Sequence, residues 1–298
     1  MTGSETDMPS PHALNRAQHR TGRCRLTRRG ALGAGMLGLA LLWAPWPVAA
    51  QGGALDHSYA GWDALLKKHV RWLADGKQSR ADYKGFATDR AALKALLADW
   101  SAVPASAFAG FSREQQMAFL INAYNGFTVE LILTKYPDLK SIKDLSSFVQ
   151  SAWKKKFFKL LGEEQHLDWI EHEQLRPKYS DPRVHGAVNC ASIGCPALRP
   201  EAFTAAKLEA QLDDGMLRFM GDRTRNRYAN GRAEISSIFK WFKEDFEKGH
   251  KGFRKIEDLL ARYADQLTDA PAEREKLKSM QVTIHHLDYD WSLNDVGR

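Results

Sequence analysis

The residues best suited to chemistry lie in one short motif, His185-Gly-Ala-Val-Asn189-Cys190-Ala-Ser192-Ile-Gly-Cys195-Pro196. A cysteine becomes a useful nucleophile when a nearby imidazole or a helix N-terminus favours its thiolate. We therefore predict that Cys190 is a catalytic nucleophile and that His185 is its general base. We expect the remaining polar residues of the motif to line the same site, namely Asn189, Ser192 and Cys195.

The two cysteines leave three other interpretations open. In an oxidising compartment, Cys190 and Cys195 can form a disulfide if the intervening turn brings their Cα atoms close together. Zinc binding through His185 and both cysteines is a second alternative, but the spacing matches no common zinc motif. The third is a pair of inert buried thiols. We predict no metal and no cofactor.

Two other groups of residues are candidates for the same site. Asn122, Tyr124 and Asn125 stand in a strongly apolar segment, where an unsatisfied polar group costs ~1–3 kcal/mol. They therefore line a polar pocket or hydrogen-bond neighbouring loops. Glu171 is a candidate to orient an imidazole, as the third member of a catalytic triad does. The alternative for Glu171 is a solvated helix face.

Two remaining patterns are predicted to be surface features. His285 and His286 are adjacent in a terminal strand and could in principle bind metal or serve as a base, but we expect surface histidines. The basic run Lys154–Lys156, with Trp153 beside it, is typical of a solvated face rather than of a nucleic-acid patch.

These candidates must be positioned by a largely helical chain. Ser112 and Gln115 form a capping box before a helix that should run to about Lys135, where Pro137 ends it. Apolar residues also recur at helical spacing over 62–73, 93–100, 208–219, 237–246 and 256–263, and strand patterns occupy 183–188, 233–235 and 281–289. The fold class predicted is α+β, a single helix-rich domain with a small β-sheet.

Composition and charge exclude several classes of protein. With 298 residues, 44% hydrophobic and 27% charged, the chain is neither disordered, collagen-like nor a disulfide-dense mini-protein. The net charge is +7, but the first fifty residues hold six arginines against two acids, a net of +4. The remainder carries little basic surplus, so we predict no nucleic-acid partner.

Residues 1–50 have the pattern of an export signal. A polar stretch ending in Arg28-Arg29 precedes the apolar run 31–42, and Val48-Ala49-Ala50 offers a cleavage site of small residues. The apolar run is shorter than the ~20 residues of a membrane-spanning helix. We therefore predict a twin-arginine-like signal peptide cleaved after about Ala50, the alternative being a retained membrane anchor. Residues 51–298 would form a single globular domain, periplasmic or secreted, without stable membrane insertion.

Several motifs together resemble the domain of unknown function family 547. They are Phe119-Leu-Ile-Asn122-Ala-Tyr124-Asn125, Asp181-Pro-Arg-Val-His185, Asn189-Cys190-Ala-Ser192-Ile-Gly-Cys195-Pro196-Ala-Leu198 and Tyr289-Asp290-Trp291-Ser292-Leu293-Asn294. The likeness spans roughly residues 59–294. It implies an exported bacterial protein, and through Cys190 and His185 a similarity to papain- and transglutaminase-like cysteine enzymes.

Two functions of different classes follow. The first is a cysteine-dependent hydrolase or acyltransferase that acts on peptide, amide or thioester bonds of a small-molecule or peptide substrate. Glu171 or Asn189 would then orient the base or stabilise an oxyanion, over a pocket floor of Asn122, Tyr124 and Asn125. The second is a non-enzymatic periplasmic binding or assembly domain with a Cys190–Cys195 disulfide.

Overall fold

A helix of 21 residues, Arg113–Leu133, is buried on nearly every side and forms the centre of the protein. The computed structural model describes residues 55–297. Ser112 caps this helix, accepting from the backbone N–H of Gln115 while the Gln115 side chain accepts from the Ser112 backbone. The predicted capping box is therefore confirmed. The helix can be buried because apolar residues lie on nearly all of its faces. It therefore lacks the polar face of a surface helix.

Further helices surround this one within the described range. The α-helices are α1 (Ala60–His69), α2 (Tyr83–Thr88), α3 (Arg90–Ser101), α4 (Ala105–Ala109), α5 (Arg113–Leu133), α6 (Arg176–Tyr179), α7 (Leu208–Gly221), α8 (Ile238–Trp241), α9 (Lys243–Phe246), α10 (Ile256–Arg262), α11 (Ala264–Leu267) and α12 (Pro271–Lys278). A π-helix, Trp169–Leu175, leads into α6. Short 3-10 helices occupy Ile142–Leu145, Ala152–Lys154, Pro182–Gly186, Ala205–Lys207 and His250–Gly252.

The strands are short and form three small sheets in the described residues. They are β1 (Val70–Trp72), β2 (Ser79–Ala81), β3 (Phe158–Leu160), β4 (Glu163–Gln165), β5 (Arg227–Ala229), β6 (Arg232–Ser236) and β7 (Ile284–Leu287). The pairs β1–β2 and β3–β4 are antiparallel hairpins. In the third sheet β6 lies between antiparallel β5 and parallel β7, with Ala233 opposite Ile284. The predicted α+β class, helix-rich with small sheets, is confirmed; the papain-like resemblance stays a prediction.

The apolar core has two parts. The larger cluster, which we call the first core cluster, surrounds α5 and includes α1, α2 and α3. The second core cluster contains apolar residues of α7, β6 and the helices from α8 to α12. The segment that holds His185 lies where these two clusters meet, since Val184 belongs to the first and Phe242 of the second stacks on the imidazole.

Three local predictions from sequence were wrong or too long. Residues 183–188 are not a strand, because Pro182 fixes a helical φ and the Asp181 carboxylate accepts from the Arg183 N–H at 3.0 Å, which starts a 3-10 turn. The helix predicted over 237–246 breaks at Phe242, whose φ of −112° and ψ of 24° separate α8 from α9. The first helix ends at His69, where Val70 becomes extended and pairs with Ala81.

The predicted signal peptide, residues 1–50, lies outside the described residues, so its cleavage stays a prediction. Among the helices of residues 55–297, none is both long enough and apolar enough to cross a membrane.

The contact between α3 and α5 depends on a glycine. A Cβ at Gly126 would lie 2.9 Å from Cζ3 of Trp100 and 3.1 Å from Cδ2 of Leu97. Overpacking of this kind costs about 1–3 kcal/mol, more than the roughly 1 kcal/mol that alanine gains as a helix former. We therefore expect Gly126→Ala to lower the free energy of unfolding, measured by urea denaturation.

Gly110→Ala is the matched control. A Cβ there meets its nearest neighbour, the Ala107 carbonyl oxygen, at 3.4 Å, and Gly110 already has an ordinary φ of −82°. Its free energy of unfolding should stay within about 0.5 kcal/mol of the parental value. A Gly126→Ala protein as stable as this control would contradict the close packing of α3 on α5.

Candidate functional site

Three polar side chains of α5 each bind a different part of the site. Asn122 makes two hydrogen bonds to the backbone of Phe203, at 2.8 and 3.0 Å. Asn125 donates to the Ala187 carbonyl at 3.0 Å and accepts from the Asn189 N–H at 2.8 Å. The Tyr124 hydroxyl bonds the Glu171 carboxylate. These residues therefore hold neighbouring segments in place, which satisfies polar groups that would otherwise be costly to bury.

The motif residues 189–196 form a loop that is held on two sides. The Asn189 amide donates to the Pro196 carbonyl at 2.8 Å, and its oxygen accepts from the Ala191 N–H at 2.9 Å. On the other side, the Ile193 N–H donates to the Ser292 carbonyl at 2.8 Å. The Gly194 N–H likewise donates to Asp290 at 2.8 Å. Through Asn125 at one side and Ser292 and Asp290 at the other, the loop thus connects α5 with the residues that follow β7.

Cys190 and Cys195 form a disulfide within this loop, with their Cα atoms 6.3 Å apart. The Tyr289 hydroxyl lies 3.2 Å from the Cys190 sulfur and 3.1 Å from the Cys195 sulfur. The Cys190 N–H donates to the Cys195 sulfur at 3.0 Å, and the Ser192 hydroxyl is 3.3 Å from the Cys190 sulfur. Cys195 is buried, whereas Cys190 is half-buried. The disulfide is one of the alternatives that the sequence leaves open.

His185 is bound by carboxylates rather than by a cysteine. Its Nε2 lies 2.9 Å from Oδ2 of Asp245, and its Nδ1 lies 3.6 Å from Oε1 of Glu171. The ring stacks on Phe242, with centroids 4.0 Å apart and planes 22° apart. Among the described residues no hydrogen bond joins His185 to Cys190. The structure therefore brings together the predicted pair Glu171 and His185, and separately Cys190, Ser192 and Cys195.

The two carboxylates beside His185 differ in their protonation chemistry. Burial raises the pKa of Glu171 above its ordinary value, although the charges of His185 and Arg176 oppose this. Burial also raises the pKa of Asp245, but hydrogen bonds from His185 and Arg176 outweigh it, so the net pKa is well below the ordinary value. A pair of acids with pKa values moved in opposite directions can serve as proton donor and proton acceptor.

Glu171 lies on the π-helix Trp169–Leu175. Such segments are rare and frequent at functional sites, because the wider turn displaces side chains from the regular helical register. Arg176, which follows this helix, binds Asp245, and its charge opposes the burial that raises the pKa of Glu171. The irregular helix and the residue after it therefore supply an acid near His185 and the cation that binds the second acid.

Sequence reasoning missed two residues of the site. Asp245 lies 60 residues beyond His185, at the end of the charged run Lys243-Glu-Asp, which resembles any solvated helix end. Tyr289 lies 99 residues beyond Cys190. Its only signal in the sequence is the motif Tyr289-Asp290-Trp291, which is part of the family resemblance.

The other candidates lie elsewhere. His285 and His286 are both on β7, the first exposed and the second half-buried. Burial and the charge of nearby Lys240 lower the pKa of His286. In the described residues no group of three or more His, Cys, Asp or Glu side chains is arranged to hold a metal ion.

The fold and the site define a class: a helix-rich α+β domain with a buried imidazole–carboxylate network next to a disulfide-closed loop. Residues 108–220 match the model of the family described as a protein of unknown function, DUF547. For residues 108–220, the resemblance predicted from the motifs is thereby confirmed. The matched range includes α5, Glu171, His185 and both cysteines, whereas Asp245 and Tyr289 lie beyond it.

No curated protein matches the chain. No solved structure matches it either.

Asp245 should stabilise the fold through its charge. Its side chain is 7% exposed and accepts from both His185 and Arg176, so Asp245→Asn should cost about 2–4 kcal/mol at neutral pH. Because its pKa is depressed on folding, this stability is fully present above the ordinary aspartate pKa of about 4 and is lost as the pH falls through the folded value. Urea unfolding of both proteins at several pH values measures the difference.

Asp269→Asn is the control, because the Asp269 side chain is 90% exposed and pairs with Arg223 at 3.1 Å. Its effect should stay within about 0.5 kcal/mol at every pH. A loss in Asp245→Asn that is equally large well below pH ~4 would show that packing, rather than charge, gives Asp245 its importance.

Proposed function

We propose that this domain carries out thiol–disulfide chemistry at Cys190 and Cys195, with a thiol-containing small molecule or peptide as its substrate. The observation that carries the proposal is the set of donors around the two sulfurs. The Tyr289 hydroxyl lies within 3.2 Å of both, and the Cys190 N–H points at the Cys195 sulfur. Hydrogen-bond donors stabilise a thiolate, so they make a released cysteine a better nucleophile or leaving group.

The surroundings of the loop also favour a disulfide that opens and closes. A crosslink between residues only five apart restricts the unfolded chain weakly, by about 2 kcal/mol. The loop is already held by Asn125, Asn189 and the backbone of Ser292. Reduction therefore removes a crosslink that the local fold does not need, and the two thiols stay in position to re-form it.

The difference in exposure sets the direction of attack. A substrate thiolate attacks the half-buried Cys190 sulfur, the bond to Cys195 breaks, and the electron pair remains on the Cys195 sulfur. The Cys190 N–H and the Tyr289 hydroxyl stabilise that thiolate, as donors to a charged acceptor do. A second substrate thiolate then attacks the substrate sulfur of the mixed disulfide and releases Cys190. Two substrate thiols leave as one disulfide, and the protein retains two thiols.

A cysteine-dependent hydrolase or acyltransferase, acting on peptide, amide or thioester bonds, is the second candidate. It would use the same Cys190 in its reduced form. What favours it is the Tyr289 hydroxyl 3.2 Å from the Cys190 sulfur. Burial, and to a smaller extent the Glu171 charge, raise the pKa of Tyr289, which keeps its hydroxyl protonated as a donor. In this candidate Tyr289 contacts the nucleophile. Glu171, which is paired with His185, acts on Tyr289 through its charge. Loss of thioester cleavage by the reduced protein in Cys190→Ser is its test.

We also propose that the domain works outside the cytoplasm, as a periplasmic or secreted protein, after removal of residues 1–50. Disulfides form and persist in oxidising compartments, which fits the pairing of Cys190 with Cys195. Mass spectrometry of the protein recovered from the exporting cell should give a chain that begins near Gln51. Recovery of the intact chain from the membrane fraction would favour the retained anchor instead.

Reduction of the native protein should release a reactive Cys190 without unfolding the domain. We expect dithiothreitol followed by iodoacetamide to label Cys190 faster than Cys195, with circular dichroism and the melting transition largely retained. Tyr289→Phe removes a donor to the thiolate and should slow alkylation near neutral pH by about three- to tenfold. Peptide mapping by mass spectrometry gives both rates.

Tyr263→Phe, a half-buried tyrosine between α10 and α11, is the matched control and should alkylate at the parental rate. Labelling of Cys190 only in denaturant would contradict exchange and favour the stapled, non-enzymatic binding domain. A reduction potential within the range of known exchange proteins supports the first candidate, whereas one far below it supports the staple.

A further inference from the structure

A hydrogen-bonded turn presents two apolar side chains directly to solvent. The Ser147 N–H donates to the Gln150 carbonyl at 2.9 Å, which leaves Phe148 and Val149 at the corner of the turn. Their relative exposures are 106% and 89%, far above those of the other exposed large apolar residues, Leu73, Leu217, Met280 and Val296, at 37–45%. An apolar pair so completely exposed at a loop tip indicates a site that contacts an apolar partner.

The base of this turn is anchored in the domain. The Ala152 N–H donates to the Ser146 hydroxyl at 2.9 Å, and the Gln150 amide donates to the Lys154 carbonyl at 3.0 Å. The 3-10 helices on either side, Ile142–Leu145 and Ala152–Lys154, pack against each other. Trp153 also bonds the Tyr124 hydroxyl of the buried helix α5. The Phe148–Val149 tip therefore projects from a fixed base.

The base carries a strong positive charge. Residues 140–156 contain five lysines against one aspartate, a net of +4. These lysines are all exposed: Lys140, Lys143, Lys154, Lys155 and Lys156. In the described part of the chain none of them lies within 4.0 Å of a carboxylate as an ion pair, although Lys143 covers the Trp291 ring at 4.1 Å. This charge is available to an external anionic surface.

We propose that the tip and its lysines form a peripheral membrane-binding loop for anionic lipid. Phe148 and Val149 insert into the interfacial region of the bilayer while the lysines lie at the level of the negatively charged headgroups. The positive charge of residues 140–156 favours an anionic lipid surface over an apolar protein groove as the partner. Two side chains bury far less than the roughly 1,200 Å² of a stable protein interface, whereas a few apolar residues and several lysines suffice for reversible lipid binding.

The test is sedimentation of the full chain with vesicles of phosphatidylcholine and about 30 mol% phosphatidylglycerol. All variants share residues 1–54, so any binding by that segment is common to them. The double variant Phe148→Ser/Val149→Ser should bind about tenfold or more weakly. Lys154→Gln/Lys155→Gln/Lys156→Gln should lose about fivefold per lysine, and binding by the parent should fall with rising salt.

Matched controls use exposed residues of the same types elsewhere. Leu217→Ser on α7 and Lys276→Gln/Lys278→Gln on α12 should bind vesicles as the parent does. If the tip and lysine variants bind equally to these controls, the proposal is wrong.

A second measurement locates the contact independently of the N-terminal segment. Val149→Cys, in a Cys24→Ser background, is labelled with an environment-sensitive fluorophore while Cys190 and Cys195 remain paired. We expect a blue shift on phosphatidylglycerol vesicles that is absent on pure phosphatidylcholine. A shift that depends on protein concentration without vesicles, which would indicate docking to a second copy, or no shift at all, overturns the assignment.

Discussion

The contact between His185 and Asp245 connects the two core clusters, and the site depends on it. A buried carboxylate is tolerated only if donors replace its water, and here an imidazole and the Arg176 guanidinium do so. Because Asp245 lies on the short helix α9, its need for these two donors restricts where α9 can lie. Since Phe242 immediately precedes that helix and stacks on the imidazole, the same contact closes the apolar surface between the clusters.

The second constraint comes from α5, which is apolar almost everywhere except at three polar residues. Asn122 and Asn125 bind segments that have no regular structure of their own, and Tyr124 binds Glu171 on the π-helix. Because every unsatisfied amide or hydroxyl in this core would be costly, the loops have little freedom to move away. The helix therefore acts as a template, and the disulfide loop takes its geometry from a helix more than sixty residues earlier in the chain.

Local signals allowed the elements to be predicted, but contacts distant in sequence were not predictable. The capping box of Ser112, the buried character of α5 and the α+β class followed from patterns a few residues long. The strand predicted over 183–188 failed because Pro182 and the Asp181 cap outweigh a short apolar alternation. Asp245 carries no local mark of its role, and Tyr289 is marked only by the motif Tyr289-Asp290-Trp291. Their partners are 60 and 99 residues away, and only the folded chain brings them together.

The residues after β7 complete the surroundings of the disulfide loop, although they lie far along the chain from it. Ser292 and Asp290 bind the disulfide loop, and Asn294 accepts from the Ala81 N–H at 2.9 Å, so this late segment joins the loop to the first hairpin. During synthesis both cysteines leave the ribosome about a hundred residues before Tyr289 does. Until then the two sulfurs lack the Tyr289 hydroxyl, and their loop lacks its bonds to Asp290 and Ser292. The surroundings of Cys190 and Cys195 are therefore complete only in the finished chain, and a nascent chain carries both thiols without the donor that Tyr289 supplies.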